Sequence, residues 1–160
     1  MSISVVVPTY NVESTRGTMR QCLESVVSQD APADEIIVVD SSDDGTTDVI
    51  REFEPAVRLI HLPQRTFAGD ALNLGVREAN GEAIAFIDSD CIAERTWIKG
   101  IREGYAQNDG AVGVTGPIRG PEDENVYARL DRILHLNHLS CLETADWVKR
   151  AVSYTHLRAH

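Results

Sequence analysis

Phe86-Ile87-Asp88-Ser89-Asp90 places two carboxylates one residue apart at the end of an apolar run, Ala83 to Ile87. Such a run between Gly81 and Asp88 predicts a buried strand. An ionised carboxylate is costly to bury without a partner, so paired acids at a strand end ask for one. Parallel α/β sheets bind ligands beyond the carboxyl ends of their strands. Two carboxylates there suit a hard divalent cation, Mg²⁺ or Mn²⁺, which prefers oxygen ligands and leaves positions for substrate phosphates.

Two further strand ends carry polar residues. Ile3 to Val7 is nearly all β-branched and is expected to stop at Pro8, with Thr9-Tyr10-Asn11 as a loop. Ile36 to Val39 reads as a second buried strand ending in Asp40, followed by the turn-rich Ser41 to Thr46. In a parallel sheet these ends lie on one side, so Thr9, Asp40, Asp88 and Asp90 can face one crevice. Neither a Gly-x-Gly-x-x-Gly nor a Walker-type Gly-Lys-Ser/Thr follows the first strand. Phosphates must be held another way, and a cation on Asp90 is the candidate.

Helical spacing supplies the intervening elements. Met19, Cys22, Leu23, Val26 and Val27 form an apolar face on a helix predicted from about Arg16 to Gln29. A short helix is expected near Thr47 to Phe53, and a third strand at Val57 to His61, whose histidine is expected to face solvent. Ala68, Leu72, Gly75, Val76 and Ala79 predict a further helix closed by Asn80-Gly81, and Trp97, Ile98, Ile101 and Tyr105 another. Ala111 to Thr115 is expected to be a strand, and Tyr127 to about Leu142 a helix. Alternating units of this kind predict an α/β fold with a mostly parallel sheet and helices on both faces.

Composition narrows the partners. The chain has 160 residues, 42% hydrophobic and 25% charged, with a formal net charge of −10. A strongly acidic chain argues against nucleic acid or an anionic membrane as partner, but not against a nucleotide, because a cation can bridge acids to phosphates. No stretch approaches the roughly 18–20 apolar residues of a membrane span, and no basic leader precedes the first strand. A cytoplasmic protein is expected, peripheral at the inner membrane face at most. Cys22, Cys91 and Cys141 are scattered and read as reduced thiols, Cys91 as packing rather than a nucleophile. His135 and His138 lie three apart on a predicted helix with no third ligand in sight.

The chain resembles the inverting family 2 glycosyltransferases of the GT-A fold. The resemblance is carried by Val5-Val6-Val7-Pro8-Thr9-Tyr10-Asn11, by Ile37-Val38-Val39-Asp40 with Asp44-Gly45-Thr46, by Ala71-Leu72-Asn73-Leu74-Gly75, and by Gly81 through Asp90 with Trp97. It implies a nucleotide-sugar donor, a UDP-sugar foremost, and a saccharide or lipid-linked acceptor. Pro8, Thr9, Tyr10, Asp40, Asn73, Asp88, Ser89 and Asp90 are the implied donor-binding residues. Asp40 would accept a hydrogen bond from a base N–H; Asp88 would meet the ribose or a metal-bound water; Asp90 would bind Mn²⁺ or Mg²⁺, with Asp88 as the second metal-site acid.

The chain departs from the family pattern at Leu72, where a basic residue is usual, and in a loop after Asp40 that is one residue shorter. No convincing catalytic base follows; Glu143 and Asp146 read as solvated charges. Ala151 to His160 resembles translated sequencing-adaptor read-through. Residues 1–150 are therefore expected to be an incomplete donor-binding domain and 151–160 a non-native tail. A non-catalytic nucleotide-binding fragment, or a nucleotidyltransferase of related topology, are the competing readings; the latter usually opens with a Gly-rich basic loop, which Pro8-Thr9-Tyr10-Asn11 is not.

Overall fold

The computed structural model describes residues 1–108, 110–115, 118–119 and 157–159. The predicted helix from Tyr127 to about Leu142, with His135, His138 and Cys141, and the acids Glu143 and Asp146 after it lie outside the described residues. Strands β1 (Ile3–Thr9), β2 (Glu35–Asp40), β3 (Arg58–His61) and β4 (Ala83–Phe86) form an all-parallel sheet in the order β3-β2-β1-β4. Helices α1 (Val12–Thr15), α2 (Met19–Val27), α3 (Thr46–Arg51), α4 (Ala68–Glu78) and α5 (Trp97–Gln107) separate them or follow. A second, three-stranded sheet joins β5 (Cys91–Ala93), β7 (Leu157–Ala159) and β6 (Ile118–Arg119), in that order.

Alternation along the strands divides the core between two faces. Ile3, Val5 and Val7 of β1, with Ile36 and Val38 of β2, pack in one cluster with Met19, Cys22 and Leu23 of α2, Ile50 of α3, and Trp97, Ile98 and Ile101 of α5. Ile37 and Val39 face the other way and meet Ala71 of α4. Helix α4 approaches so closely that a Cβ on Gly75 would stand 2.3 Å from Val6 Cγ1.

Several expectations are corrected. Strand β1 runs through Pro8 to Thr9 rather than stopping at Val7. Val6 O accepts from Ile87 N toward β4, and Thr9 O accepts from Ser41 N toward β2. By alternation Pro8 faces the β4 side, where that ladder has already ended at Val6–Phe86, so its missing N–H breaks no pairing. The helix predicted from Arg16 is two: α1 ends at Thr15, Gly17 takes φ +64, and α2 starts at Met19. Val27 and Val76, assigned to apolar faces, are 38% and 41% exposed, because α2 ends at Val27 and α4 turns Ala71 inward beside the expected Gly75. Ala111–Thr115 forms no strand; Gly113 interrupts its apolar run and Val112 stays exposed.

Candidate functional site

The strand order places a topological switch between β1 and β4. The chain leaves β1 toward β2 and β3 on one side and returns to β4 on the other. Crossovers departing in opposite directions open a crevice at the carboxyl ends. A cavity of about 340 Å³ lies there. Its walls are Pro8, Thr9 and Tyr10 from the end of β1; Val12, Thr15 and Arg16 from α1 and the break behind it; Thr66, Ala68 and Ala71 around the start of α4; and Asp88, Ser89 and Asp90 after β4.

The acidic turn is held from below by α2. Cys91 N donates to Asp88 O at 3.0 Å, closing Asp88–Cys91 as a tight turn. Thr18 Oγ1 donates to Ser89 O at 3.1 Å, and Cys22 Sγ lies 3.6 Å from Asp88 O. One ligand atom each from Asp88, Asp90 and Cys91 fall within 4.8 Å of one another. Desolvation, then the charge of Asp90, raises the Asp88 carboxyl above its ordinary value. The two acids therefore crowd each other, the electrostatic condition that a cation relieves. Burial, then Asp90 and Asp88, pushes the Cys91 thiol up to about 12, and burial raises the Cys22 thiol too. Protonated, buried sulfur is a poor partner for a hard cation, so the two carboxylates are the fitting donors for Mg²⁺ or Mn²⁺. The reading of Cys91 as packing agrees with this.

Thr9 is 7% exposed, and its buried Oγ1 has no hydrogen-bond partner among the described residues. An unpaired buried hydroxyl costs about 1–3 kcal/mol. Tyr10 is partly exposed at the mouth, with the Arg65 guanidinium 4.7 Å from its ring centroid.

Two implied donor residues sit elsewhere. Asn73 is on an exposed part of α4 and does not line the cavity. Asp40 is fully buried. Its Oδ1 accepts from Ser42 N at 3.0 Å, and its Oδ2 accepts from Thr47 Oγ1 at 2.6 Å and lies 3.0 Å from His61 Nδ1. His61 is exposed, as expected, and its Nδ1 also faces Asp40. The neighbouring acids tie loops together. Asp43 Oδ1 accepts from Asn11 Nδ2, and Asp44 accepts from both Ser14 N and Thr46 N.

Sequence reasoning missed Arg16. Its Nη1 lies 3.1 Å from Asp90 Oδ2. The available signal was Gly17, a poor residue for the interior of the helix predicted there. A break at that point lifts Arg16 out of any helical face and over the acidic turn.

Residues 4–156 match the family model of glycosyl transferase family 2. The chain belongs to that family. Glycosyltransferase AglE of Haloferax volcanii is 32% identical over 105 residues, 61% of this chain and 33% of AglE. Glycosyltransferase GlyG of Streptococcus pneumoniae is 35% identical over 117 residues, 69% of this chain and 37% of GlyG. Among solved structures, S. aureus TarS 1–349 in complex with UDP-GlcNAc superposes with a TM-score of 0.68 at 26% identity, over 79% of this chain and 37% of that one. Mannosyltransferase PcManGT from Pyrobaculum calidifontis, in complex with GDP-Man and Mn²⁺, gives 0.63 at 32% identity, over 76% and 36%. The family 2 chain thus has the GT-A architecture and spans about a third of the length of these relatives. Among the described residues, no helix is long and apolar enough to cross a membrane.

Proposed function

We propose that this chain is the donor-binding part of an inverting glycosyltransferase that takes a sugar from a nucleoside diphosphate in a cation-assisted reaction. The observation that carries the reading is the Asp88–Asp90 pair at the β1/β4 switch, on the wall of one cavity with Pro8, Thr9 and Tyr10. The nucleoside enters along Pro8, Thr9 and Tyr10. Asp90 and Asp88 hold Mn²⁺ or Mg²⁺, which supplies charge neutralisation for the departing diphosphate. The pair TarS with UDP-GlcNAc and PcManGT with GDP-Man supports a nucleoside diphosphate sugar in general; we favour uridine. A base contact by Asp40 requires one of its present partners to give way, and half-exposed His61 at the sheet edge is the candidate.

Inversion is a single displacement. An acceptor hydroxyl oxygen bonds to the anomeric carbon, the bond from that carbon to the diphosphate oxygen breaks, and the hydroxyl proton passes to a carboxylate base. Among the described residues, the carboxylates lining the cavity are Asp88 and Asp90, both assigned to the cation. The base and the acceptor, saccharide or lipid-linked, therefore fall to other residues, and the described part binds and orients the donor.

Calorimetry with UDP and GDP, in Mn²⁺ and again in EDTA, tests the reading. Binding of one nucleotide that falls at least tenfold in EDTA is expected. Affinity unchanged by EDTA removes the cation, and no binding of either nucleotide removes the donor site.

A further inference from the structure

Arg16 is a cavity residue with no role in the reading above. It sits in the three-residue break between α1 and α2, where Gly17 at φ +64 turns the chain. From there its guanidinium reaches 3.1 Å from Asp90 Oδ2, while Oδ1 of the same carboxylate faces the Cys91 thiol at 3.7 Å. One of the two acids arranged for a cation thus already holds one. A guanidinium and a divalent cation cannot share that oxygen without repulsion, which at about 5 Å near a protein surface is worth roughly tenfold or more in an equilibrium constant.

The pair is also easily exchanged. The Arg16 side chain is 54% exposed and that of Asp90 32%. Ion pairs at such sites contribute little net stability. Phosphate offers the same planar guanidinium a bidentate, charge-assisted partner. A diphosphate bridged to Asp90 by a cation would stand beside Arg16, because both residues wall one cavity.

We propose that Arg16 is an internal counter-ion for Asp90: it holds the carboxylate in the donor-free protein, competes there with the divalent cation, and turns to the diphosphate when cation and nucleotide bind together. This rests on the assignment of the cation to Asp88 and Asp90. The consequence is strong coupling. The cation binds weakly alone and tightly with nucleotide, and by linkage each raises the affinity of the other by the same factor.

The test is Mn²⁺ binding to the full 160-residue chain, read from the EPR signal of free Mn²⁺, with and without UDP or GDP as the probe. Wild type is compared with Arg16→Gln and with Arg20→Gln. Arg20 pairs with Glu52 and not with the cavity, so it controls for loss of one charge. Without nucleotide, Arg16→Gln is expected to bind Mn²⁺ about tenfold more tightly than wild type, and Arg20→Gln to stay within about twofold. With Mn²⁺ present, Arg16→Gln is expected to bind the nucleotide about tenfold more weakly, so that the coupling shrinks. Equal Mn²⁺ affinity in wild type and Arg16→Gln, or an equal gain in Arg20→Gln, overturns the role of Arg16 and leaves the cation site standing. Absence of Mn²⁺ binding in all three proteins, even with nucleotide, overturns the cation site and this inference with it.

Discussion

Both carboxylate oxygens of Asp40 are used inside the fold, by Ser42 N, Thr47 Oγ1 and His61. Truncation would strand the donors of buried Ser42 and Thr47. Asp40→Ala is therefore expected to lower stability by about 2–4 kcal/mol in urea unfolding; a loss under 1 kcal/mol would show the network to be dispensable. Asp90 and Asp43 make the opposite comparison. Asp90→Ala should weaken UDP binding in Mn²⁺ at least tenfold, whereas Asp43→Ala should change it less than about threefold, because exposed Asp43 ties Asn11 and is not among the residues lining the cavity. Calorimetry on both folded variants checks this, and equal effects would move the cation away from the β4 end. At this scale the acidic pair, Thr9 and Tyr10 were legible, since strand-end position and residue type agree. Arg16 and the inward turn of Asp40 were not. Each depends on where a backbone break or a neighbouring helix puts a partner, and periodicity carries no such information.

Elements made of continuous β-branched runs were read nearly to the residue, because a strand buried on both faces leaves little ambiguity. Helix ends were read less well. The predicted Arg16 start extended an apolar period through Gly17, a residue whose positive φ ends one helix before the next begins. The stripe predicted for α4 holds at Gly75 and Ala79 but misplaces Val76 and omits Ala71, since the deciding contact is a glycine and not a large side chain. Gly75→Ala would force a methyl to within 2.3 Å of Val6 Cγ1 in the central strand. Overpacking of that kind is expected to cost about 1–3 kcal/mol. Gly17→Ala meets nothing within 4 Å but must hold φ +64, at a cost of about 1–2 kcal/mol. Urea midpoints measure both costs. Only Gly17→Ala should also alter Mn²⁺ affinity, since it moves the break that carries Arg16; a stability change at Gly75 with none at Gly17 would mean the break tolerates an ordinary residue.

Across the described residues, three of the acid-sensitive fastenings lie at the end of the sheet opposite the cavity; a fourth, Asp44, lies by α1, where burial is outweighed by bonds from Thr46 and Ser14 that hold its carboxyl below its ordinary 3.8. Asp34 Oδ2 accepts from Ile3 N and from Arg102, Glu82 Oε2 accepts from Ser2 N, and Glu35 accepts from Ser4 Oγ and from Asn80. The Ile3 backbone bond, aided by Arg102 against slight burial, holds the Asp34 carboxyl below its ordinary 3.8. The Ser2 backbone bond and the N-terminal charge hold Glu82 below 4.5. Burial works against Glu35, yet bonds from Asn80 and Ser4 and the charge of Arg58 outweigh it, and its carboxyl also falls below 4.5. In each case the folded state binds protons less readily than the unfolded one. Their stabilisation is therefore complete above the ordinary values of 3.8 and 4.5, and is lost as pH falls through the lower, folded ones. The melting temperature should thus hold steady from neutral pH down to about 5 and drop steeply below about 4. Glu35→Gln should cost about 1 kcal/mol at pH 7 and shrink that drop, because one of the groups that must be protonated is already neutral. Thermal melts of both proteins across pH 3 to 7 give the comparison. If Glu35→Gln lowers the curve equally at every pH, its role is packing and geometry, and the acid limb belongs to the other carboxylates.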